Sequence, residues 1–229
     1  MARLIDLSHR VAPGMPSYPG LPEPKFSVWR THAETAERGI YTPGTTFQFA
    51  MYEFGGNTGT YVDAPIHRFP EGGDIASIPL EKLANLDVVL VDAPAGGIDA
   101  SYFEELDVEG KAVLVRTGWS TRWGTSGYFQ SGPFLTADAC TLLVERGATL
   151  VGIDCANIDN MSDPARPAHT TLLRAGVPIV EHLTNMAAIP LGSSAPQQEA
   201  RPAICHFFAV PPAVEGGTSF VVRAFVICG

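Results

Sequence analysis

The chain has 229 residues, a mass of 24.4 kDa and 45% hydrophobic residues. A single core can grow to ~250 residues before chains tend to split, so we expect one domain spanning 1–229. The 24 acidic and 15 basic side chains give a net charge of -9, which excludes a nucleic-acid partner because phosphate binding requires clustered Lys and Arg.

Short apolar runs predict eight strands. In chain order they cover residues 4–7, 46–52, 88–91, 112–116, 150–153, 177–180, 204–210 and 220–227. The runs 88–91 and 150–153 lack polar alternation, which is typical of strands buried on both faces.

Helices are predicted at 137–146 and 170–175, with a further one beginning near 78–83. Thr136 suits the N-cap of the first, and Gly147 can end it in the left-handed conformation. Strands and helices alternate in the second half of the chain, whereas the first half is mostly strand and loop. We therefore expect a single α/β domain with a mixed sheet.

No apolar run reaches the ~20 residues that a membrane helix needs. Asp6 stands where a signal peptide would be apolar, so we expect a cytoplasmic protein without a membrane partner. The scattered cysteines, at positions 140, 155, 205 and 228, predict buried reduced thiols. Only 17% of residues are charged and the mean hydropathy is +0.10, which indicates burial of part of the surface in an oligomer.

The segment Gly55-Gly-Asn-Thr-Gly-Thr-Tyr-Val-Asp-Ala-Pro-Ile-His67 follows a predicted strand. Asp63 and His67 are separated by Pro65, so they belong to a shaped loop rather than to one helix face. Loops beside a rigid sheet often carry functional residues. Spacing alone leaves the alternative open that Asp63 caps a turn and His67 is an ordinary surface histidine.

A second group of polar residues begins at Gly152-Ile-Asp154 and continues through Asp159, Asp163, His169 and Glu181-His182. Glu181 would follow the strand 177–180, at the carboxyl end where open α/β sheets bind ligands. His169 would stand at the start of a short helix. Taken singly, each of these residues also suits a structural role.

Trp119 and Trp123 follow the predicted strand 112–116 on a glycine-flanked loop. They can line an apolar ligand pocket, or one of them can be buried as core beneath the loop. Together with Phe69 they would suit an aromatic ligand. The sequence has no GxSxG elbow, Walker A loop, GxGxxG after a strand, or HExxH motif.

Together these segments resemble the Putative cyclase family, which includes bacterial kynurenine formamidase and isatin hydrolase. The resemblance extends over nearly the whole chain and rests on Ile5-Asp-Leu-Ser-His9, Pro13-Gly-Met-Pro-Ser-Tyr-Pro-Gly20, residues 57–67, Arg116-Thr-Gly-Trp119, Gly152-Ile-Asp154, residues 169–173 and Val180-Glu181. It implies a compact β/α/β domain of the swivelling type with a mixed central sheet. It also implies assembly into homodimers or homotetramers, with the site near the subunit interface.

The family's motif His-x-Gly-Thr-His-x-Asp-x-Pro-x-His supplies metal ligands. This chain has Asn57 in place of the first histidine and Tyr61 in place of the second, and keeps Asp63 and His67. The downstream ligands of the family match His169 and Glu181. The resemblance thus implies at most one divalent ion, zinc or manganese, held by Asp63, His169 and Glu181, or no metal at all, because amide and phenol oxygens are weak ligands.

Three functions remain open. The first is a hydrolase of a non-peptide amide or lactone bond in a small carbonyl compound, in which His67 moves a proton. The second is a metal-independent dehydratase, cyclase or isomerase of secondary metabolism. Its acid–base cluster would comprise Asp63, His67, His169 and Glu181, with Tyr61 donating to an oxyanion. The third is a non-catalytic ligand-binding homologue. In each, Asn57, Thr60, Phe69, Trp119 and Trp123 are the candidate ligand contacts.

Overall fold

The computed structural model describes residues 2–94, 96–190 and 204–229. The predicted domain span of 1–229 also includes positions outside these ranges. The strands are β1 (Arg3–Asp6), β2 (Lys25–Arg30), β3 (Phe49–Glu53), β4 (Tyr61–Asp63), β5 (Leu86–Asp92), β6 (Gly97–Ile98), β7 (Ala112–Arg116), β8 (Phe134–Leu135), β9 (Leu150–Ile153), β10 (Ile179–Glu181), β11 (Cys205–Phe208), β12 (Ser219–Val221) and β13 (Phe225–Cys228). The helices are α1 (His32–Glu37), α2 (Ala137–Glu145) and α3 (Pro167–Arg174).

Nine strands form a mixed sheet in the order β1-β13-β11-β5-β7-β9-β10-β4-β12. Its centre, from β5 through β7 and β9 to β10, is parallel. Strand β4 then pairs antiparallel with β10, and β12 pairs antiparallel with β4. The predicted mixed α/β architecture is confirmed. Because β4 pairs antiparallel with β10, the segment 55–67 lies next to the carboxyl end of this parallel strand.

The sheet buries apolar side chains on both faces. Along β7, Leu114 belongs to one core and its neighbours Val113 and Val115 belong to the other. All four residues of β9 are buried, as the absence of polar alternation predicted. Helices α2 and α3 cover the second face, where Leu143 and Leu172 are buried.

The predicted strand 220–227 is wrong, because the segment forms two strands, one at an edge of the sheet and one next to the opposite edge. Strand β12 is the edge next to β4, whereas β13 lies beside β1. Only residues 222–224 connect them, and four Cα–Cα steps span at most about 14 Å. The two edges therefore lie near each other, which requires the sheet to curl.

The helix predictions hold in part. Helix α2 matches its predicted range, and Gly147 has a left-handed φ of 76°. The Thr136 side chain bonds to the carbonyl of Ile98 and does not cap the helix. Helix α3 begins earlier than predicted, with Pro167 in its first turn. The segment near 78–83 forms a short 3-10 turn, Leu80–Lys82.

Strands β2 and β3 form a separate two-stranded sheet. The predicted strand 46–52 corresponds to β3, whereas β2 and the short helix α1 between them were not predicted. Trp29, Phe49 and Tyr52 on this sheet are 59%, 52% and 62% exposed. These rings are unusually accessible for aromatic side chains.

Two of the four cysteines contradict the sequence prediction. Cys205 and Cys228 are register partners on β11 and β13 and form a disulfide. They are 23 residues apart in sequence, so their pairing depends on a strand register that sequence spacing does not show. Cys140 and Cys155 are free and buried, as predicted. Within the described ranges, no helix has the length and apolar character needed to cross a membrane.

Candidate active site

Strand register places several polar side chains on one face of the sheet. Tyr61 on β4 is directly opposite Glu181 on β10, and Asp63 is opposite Ser219 on β12. Residues two apart on a strand share a face, so Tyr61 and Asp63 point the same way. All four residues are at most 3% exposed, and the face they occupy is the one that α3 covers.

Helix α3 contributes His169, whose ring is oriented by a carboxylate. His169 Nδ1 lies 2.6 Å from Asp159 Oδ2, and the same carboxylate accepts the backbone N–H groups of Ala168 and His169. Asp159 therefore caps the helix from outside it, because the residue at the N-cap, Arg166, provides no side-chain cap. Holding Nδ1 in this way turns Nε2 towards the sheet.

The carboxylates of Asp63 and Glu181, which belong to the two predicted groups of polar residues, both lie close to His169 Nε2. His169 Nε2 lies 3.7 Å from Asp63 Oδ2 and 3.9 Å from Glu181 Oε1. Asp63 Oδ1 accepts a hydrogen bond from the Ser219 hydroxyl, whereas Oδ2 is buried and has no hydrogen-bond partner among the described residues. A buried carboxylate oxygen without a partner is costly, and this one is aimed at the centre of the cluster.

His67 comes from the 3-10 turn Pro65–His67 that follows β4. Its Nδ1 lies 3.2 Å from the Ser219 hydroxyl oxygen and 3.9 Å from Asp63 Oδ1. The side chain is 33% exposed and lines a cavity. It is neither a surface histidine without partners nor a core residue, and it stands between solvent and the buried acids.

Burial and charge set the protonation of the cluster. Burial opposes a charged imidazole, but the hydrogen bond to Asp159 and the nearby carboxylates of Asp63 and Glu181 raise the pKa of His169 to about 10. Burial, together with the negative charge of Asp63, raises the pKa of Glu181 to about 7. Burial alone would raise the pKa of Asp63, but the nearby imidazoles of His169 and His67 hold that pKa below its usual value.

Tyr61 has a defined partner in this cluster. Its hydroxyl donates a hydrogen bond to Glu181 Oε2, while Glu181 Oε1 accepts the backbone N–H of Ile158. Burial and the charges of Glu181 and Asp63 raise the pKa of Tyr61 well above its usual value. Tyr61 is therefore a neutral donor that keeps one oxygen of Glu181 occupied.

The cluster opens into a cavity of about 470 Å³, which is within the usual range for small-molecule sites. Tyr61, His67, His169 and Glu181 line it together with Asn57. The remaining lining residues are Tyr18, Pro19, Gly20, Leu21, Arg68, Asn157 and Arg166.

Four predicted ligand contacts are not among the residues that line this cavity. Thr60 is fully buried, and its hydroxyl donates to the carbonyl of His182. Phe69 packs against the core on the sheet face that α2 and α3 cover, and Arg174 stacks over its ring. Trp119 donates to the carbonyl of Tyr128, and Trp123 stacks on His9 at 3.8 Å. These side chains support the loops around the cavity.

Asp63, His169 and Glu181 form a possible metal site. One ligand atom from each lies within 4.8 Å of the others, and all three residues are buried. One imidazole and two carboxylates form a donor set that divalent metals accept. The unpartnered Oδ2 of Asp63 and the carboxylate that holds His169 Nδ1 also fit a metal site, in which such an outer partner is customary.

A family model described as Putative cyclase matches residues 5–160. A kynurenine formamidase from Geobacillus thermodenitrificans (strain NG80-2) is 30% identical over 198 residues, which cover 82% of this chain and 89% of that protein. The chain belongs to the Putative cyclase family. A kynurenine formamidase from Salinibacter ruber is 26% identical over 229 residues and covers 96% of this chain and 95% of its own.

Solved structures of this family share the fold. Isatin hydrolase A from Labrenzia aggregata, bound to benzyl benzoate, superimposes with a TM-score of 0.79 at 22% identity and covers 99% of this chain and 93% of its own. A potential metal-dependent hydrolase with cyclase activity superimposes with a TM-score of 0.75 at 24% identity, over 99% and 98% of the two chains. The family resemblance predicted from sequence is thus confirmed, and the relatives are hydrolytic enzymes.

The sequence analysis named Asp159 without its partner, and it did not name Ser219. Asp159 stood in the second polar group, but its contact with His169 spans ten residues and depends on the path of the chain into α3. Ser219 bonds to Asp63 from 156 positions away. Helix α3 has no capping side chain at its own N-cap, which indicates that an acceptor from elsewhere, here Asp159, must bind its first N–H groups. No local sequence pattern indicates the contact of Ser219 with Asp63.

Proposed function

We propose that this protein hydrolyses a non-peptide C–N or C–O bond next to a carbonyl group in a small molecule, with an amide as the favoured substrate. The observation that carries the proposal is the convergence of His169 Nε2, Asp63 Oδ2 and Glu181 Oε1, 3.7 and 3.9 Å apart, beside a cavity. The kynurenine formamidase and isatin hydrolase relatives support the same reaction class.

Asp63, His169 and Glu181 would hold one divalent ion, zinc or manganese. Such an ion, when bound, polarises a carbonyl and lowers the pKa of bound water to about 7. The loss of two imidazoles at Asn57 and Tyr61 leaves three protein ligands, a number that catalytic zinc sites use. The structural likeness to a potential metal-dependent hydrolase with cyclase activity supports this assignment.

The chain's own residues supply the remaining functions. Asp159 fixes the ring of His169 through Nδ1, and Tyr61 restrains Glu181. His67 lines the cavity, and its ring lies within hydrogen-bond distance of the Ser219 hydroxyl. It would deliver a proton to the leaving nitrogen as the C–N bond breaks and water adds to the carbonyl carbon. Asn57 is placed on the cavity wall to contact the substrate.

One observation favours a second candidate, a metal-independent lyase or isomerase. The Tyr61 hydroxyl bonds to Glu181, whose pKa is raised to about 7, and this pair together with His67 and His169 could separate an acid from a base without an ion. In this candidate the substrate would be a small carbonyl compound of secondary metabolism.

The two candidates differ in product. Purified protein incubated with formanilide and with isatin should release an amine or a ring-opened acid, detected by mass spectrometry. Replacing His67 with Gln should lower this turnover by about 100-fold, which is typical of a lost general acid. Products of dehydration or isomerisation from a wider carbonyl panel would instead favour the second candidate. Ligand-stabilised melting without any product would favour the non-catalytic alternative.

Two further properties stay proposals. The exposed rings of Trp29, Phe49 and Tyr52 support assembly into a homodimer or homotetramer, which light scattering of the purified protein tests. We also propose a cytoplasmic location. The four cysteines no longer support it, because Cys205 and Cys228 form a disulfide and disulfides are rare in cytosolic proteins.

A further inference from the structure

We propose that Arg68 and Arg166 form a carboxylate-binding subsite in the cavity, so that the substrate is a small aromatic carboxylate carrying the bond to be cleaved. This inference rests on the proposed function and specifies its substrate class. Both arginines line the same cavity as His67, His169 and Glu181.

Neither guanidinium group has an acidic partner among the described residues. Arg68 donates to the Thr170 hydroxyl at 3.2 Å and to the carbonyl of Ala165 at 3.1 Å. Arg166 donates to the side-chain oxygen of Asn157 at 3.2 Å. A guanidinium has five N–H donors in a planar fork, so both side chains retain donors that their neutral partners do not use.

Two other arginines of this acidic chain have an acidic partner, whereas Arg68 and Arg166, like the control residue Arg174, have none among the described residues. Arg116 pairs with Asp92, and Arg223 pairs with Asp6 through two hydrogen bonds. Although the net charge is -9, no described carboxylate lies within ion-pair distance of the two cavity arginines. The two positive charges are thus left for a bound anion.

The backbone at Arg166 supports a role for its side chain. This residue has a left-handed conformation, with φ 48° and ψ 59°, directly before Pro167. Such a conformation is unfavourable for a residue with a β-carbon, and glycine or asparagine would adopt it more easily. Strained residues of this kind concentrate at functional sites.

Charge within the cavity gives the subsite a direction. The acids at its inner end, Glu181 and the underlying Asp63, are at most 1% exposed, whereas Arg68 is exposed and Arg166 is half-buried. A substrate carboxylate is attracted to the two guanidinium groups. The bond to be cleaved is then directed inwards, towards His67 and His169.

Other residues that line the cavity indicate the kind of group that carries the carboxylate. Tyr18 and Leu21 line the same cavity as the two arginines, and the Tyr18 ring packs edge-on against Phe129. An aromatic face and an aliphatic side chain suit a flat ring. A guanidinium fork binds a carboxylate through two parallel hydrogen bonds, which fixes the plane of such a ring.

The test compares acids with neutral analogues. The probes are 2-, 3- and 4-formamidobenzoate and the corresponding formamidobenzamides, which vary the distance between carboxylate and amide. For at least one acid, kcat/KM should exceed that of its matched benzamide by about 10- to 100-fold, the range for hydrogen bonds to a charged group. Arg68→Gln and Arg166→Gln should each remove most of this preference by raising KM for the acid alone.

Arg174→Gln is the matched control, because Arg174 lies on α3 and stacks over Phe69 outside the cavity lining. This variant should keep the acid preference. Arg166→Lys, which retains the charge but not the fork, should keep part of it and guards against misfolding of the Gln variant. Equal kcat/KM values for every acid and its benzamide, with unchanged ratios in the variants, would overturn the subsite while leaving the hydrolase proposal intact.

A binding measurement separates the two proposals if no probe is hydrolysed. Benzoate should bind the wild-type protein more tightly than benzamide in calorimetry, and both Gln variants should reduce this difference. That result would support the subsite even though the hydrolase proposal had failed. Equal binding of benzoate and benzamide by the wild-type protein would overturn the subsite.

Discussion

The contact between Asp159 and His169 illustrates how one carboxylate can serve both folding and chemistry. Its oxygens accept two backbone N–H groups at the start of α3 and also hold His169 Nδ1. Without this partner the imidazole could rotate, and Nε2 would no longer be fixed between Asp63 and Glu181. Asp159 is therefore a positioning residue for the site.

Replacing Asp159 with Asn should weaken metal binding by 10- to 100-fold, as loss of an outer carboxylate does in other metal sites. Titration of metal-free protein with zinc, followed by calorimetry, measures this change. Asp163→Asn is the control, because among the described residues the Asp163 side chain accepts a hydrogen bond only from the backbone N–H of Ala165. Equal affinity of the Asp159→Asn variant and the wild-type protein would show that Asp159 serves folding alone.

Two tyrosines differ in what their hydroxyl groups contact. Tyr61 donates to Glu181, whereas the buried Tyr128 hydroxyl has no partner among the described residues. Tyr61→Phe should lower the free energy of unfolding by about 1–3 kcal/mol, because it leaves a buried carboxylate oxygen unsatisfied. Tyr128→Phe should be neutral or slightly stabilising.

Urea unfolding of both tyrosine variants tests this difference, and equal losses would contradict it. Activity provides a second readout. The hydrogen bond from Tyr61 lowers the pKa of Glu181, so its removal should move the acidic limb of the pH–rate profile of the Tyr61→Phe variant to higher pH.

At the scale of elements, three strands and one helix assemble the site. Strand β10 brings Glu181, β4 brings Tyr61 and Asp63, β12 brings Ser219, and α3 adds His169 from above. The close approach of the 55–59 loop to β12 secures this arrangement. A β-carbon on Gly56 would lie 2.1 Å from the Ser219 carbonyl oxygen, a distance that no side chain tolerates.

Gly56→Ala should therefore displace β12, separate Ser219 from Asp63 and destabilise the protein by more than about 2 kcal/mol, the usual scale of severe backbone clashes. Gly55→Ala is a close control, because a β-carbon there meets no atom within 4 Å. It should change stability by less than about 0.5 kcal/mol. Similar melting curves for the two variants would show that the loop is not tightly packed on β12.

The sequence analysis found most side chains of the candidate site but not the residues that hold them in place. Asp63, His67, His169 and Glu181 were predictable because they stand in motifs and at strand ends, and the structure brings them together. Ser219 was not predictable, since its contact with Asp63 arises from the pairing of β12 with β4. The segment 220–227 was predicted as one strand because apolar composition does not encode the break at 222–224. This break separates β12, at one edge of the sheet, from β13, which lies next to the opposite edge.

Trp119 and Trp123 show a second limit. Their position after β7 on a glycine-flanked loop predicted a ligand pocket, yet Trp119 bonds to the Tyr128 carbonyl and Trp123 stacks on His9. Aromatic residues near a site support it as often as they line it, and composition alone does not distinguish these roles. The arginines of the cavity escaped attention because charged residues in loops are usually solvated.

At the scale of the whole molecule, the partly buried His9 resists protonation. Burial and the nearby His182 lower the pKa of His9 to about 4 from 6.5. The ring stacks on Trp123 and meets Tyr128 edge-on. The unfolded chain takes up a proton at His9 below pH 6.5 and the folded protein does not, so stability falls as pH drops from about 6.5 towards 4.

His9→Phe should make this loss smaller. Between pH 7.5 and pH 5 the variant should lose about 1 kcal/mol less free energy of unfolding than the wild-type protein, after allowance for the partial exposure of the ring. Urea unfolding at the two pH values measures the difference. A His9→Phe profile that parallels the wild type would show that His9 does not contribute.

The most direct test is metal titration of the purified protein after exhaustive chelation, with metal content and formanilide hydrolysis measured together. Activity should be lost on chelation and return with one equivalent of zinc or manganese, and Asp63→Asn should abolish both binding and recovery. Hydrolysis at the full wild-type rate in protein shown by elemental analysis to be free of metal would contradict a metal-dependent site at Asp63, His169 and Glu181.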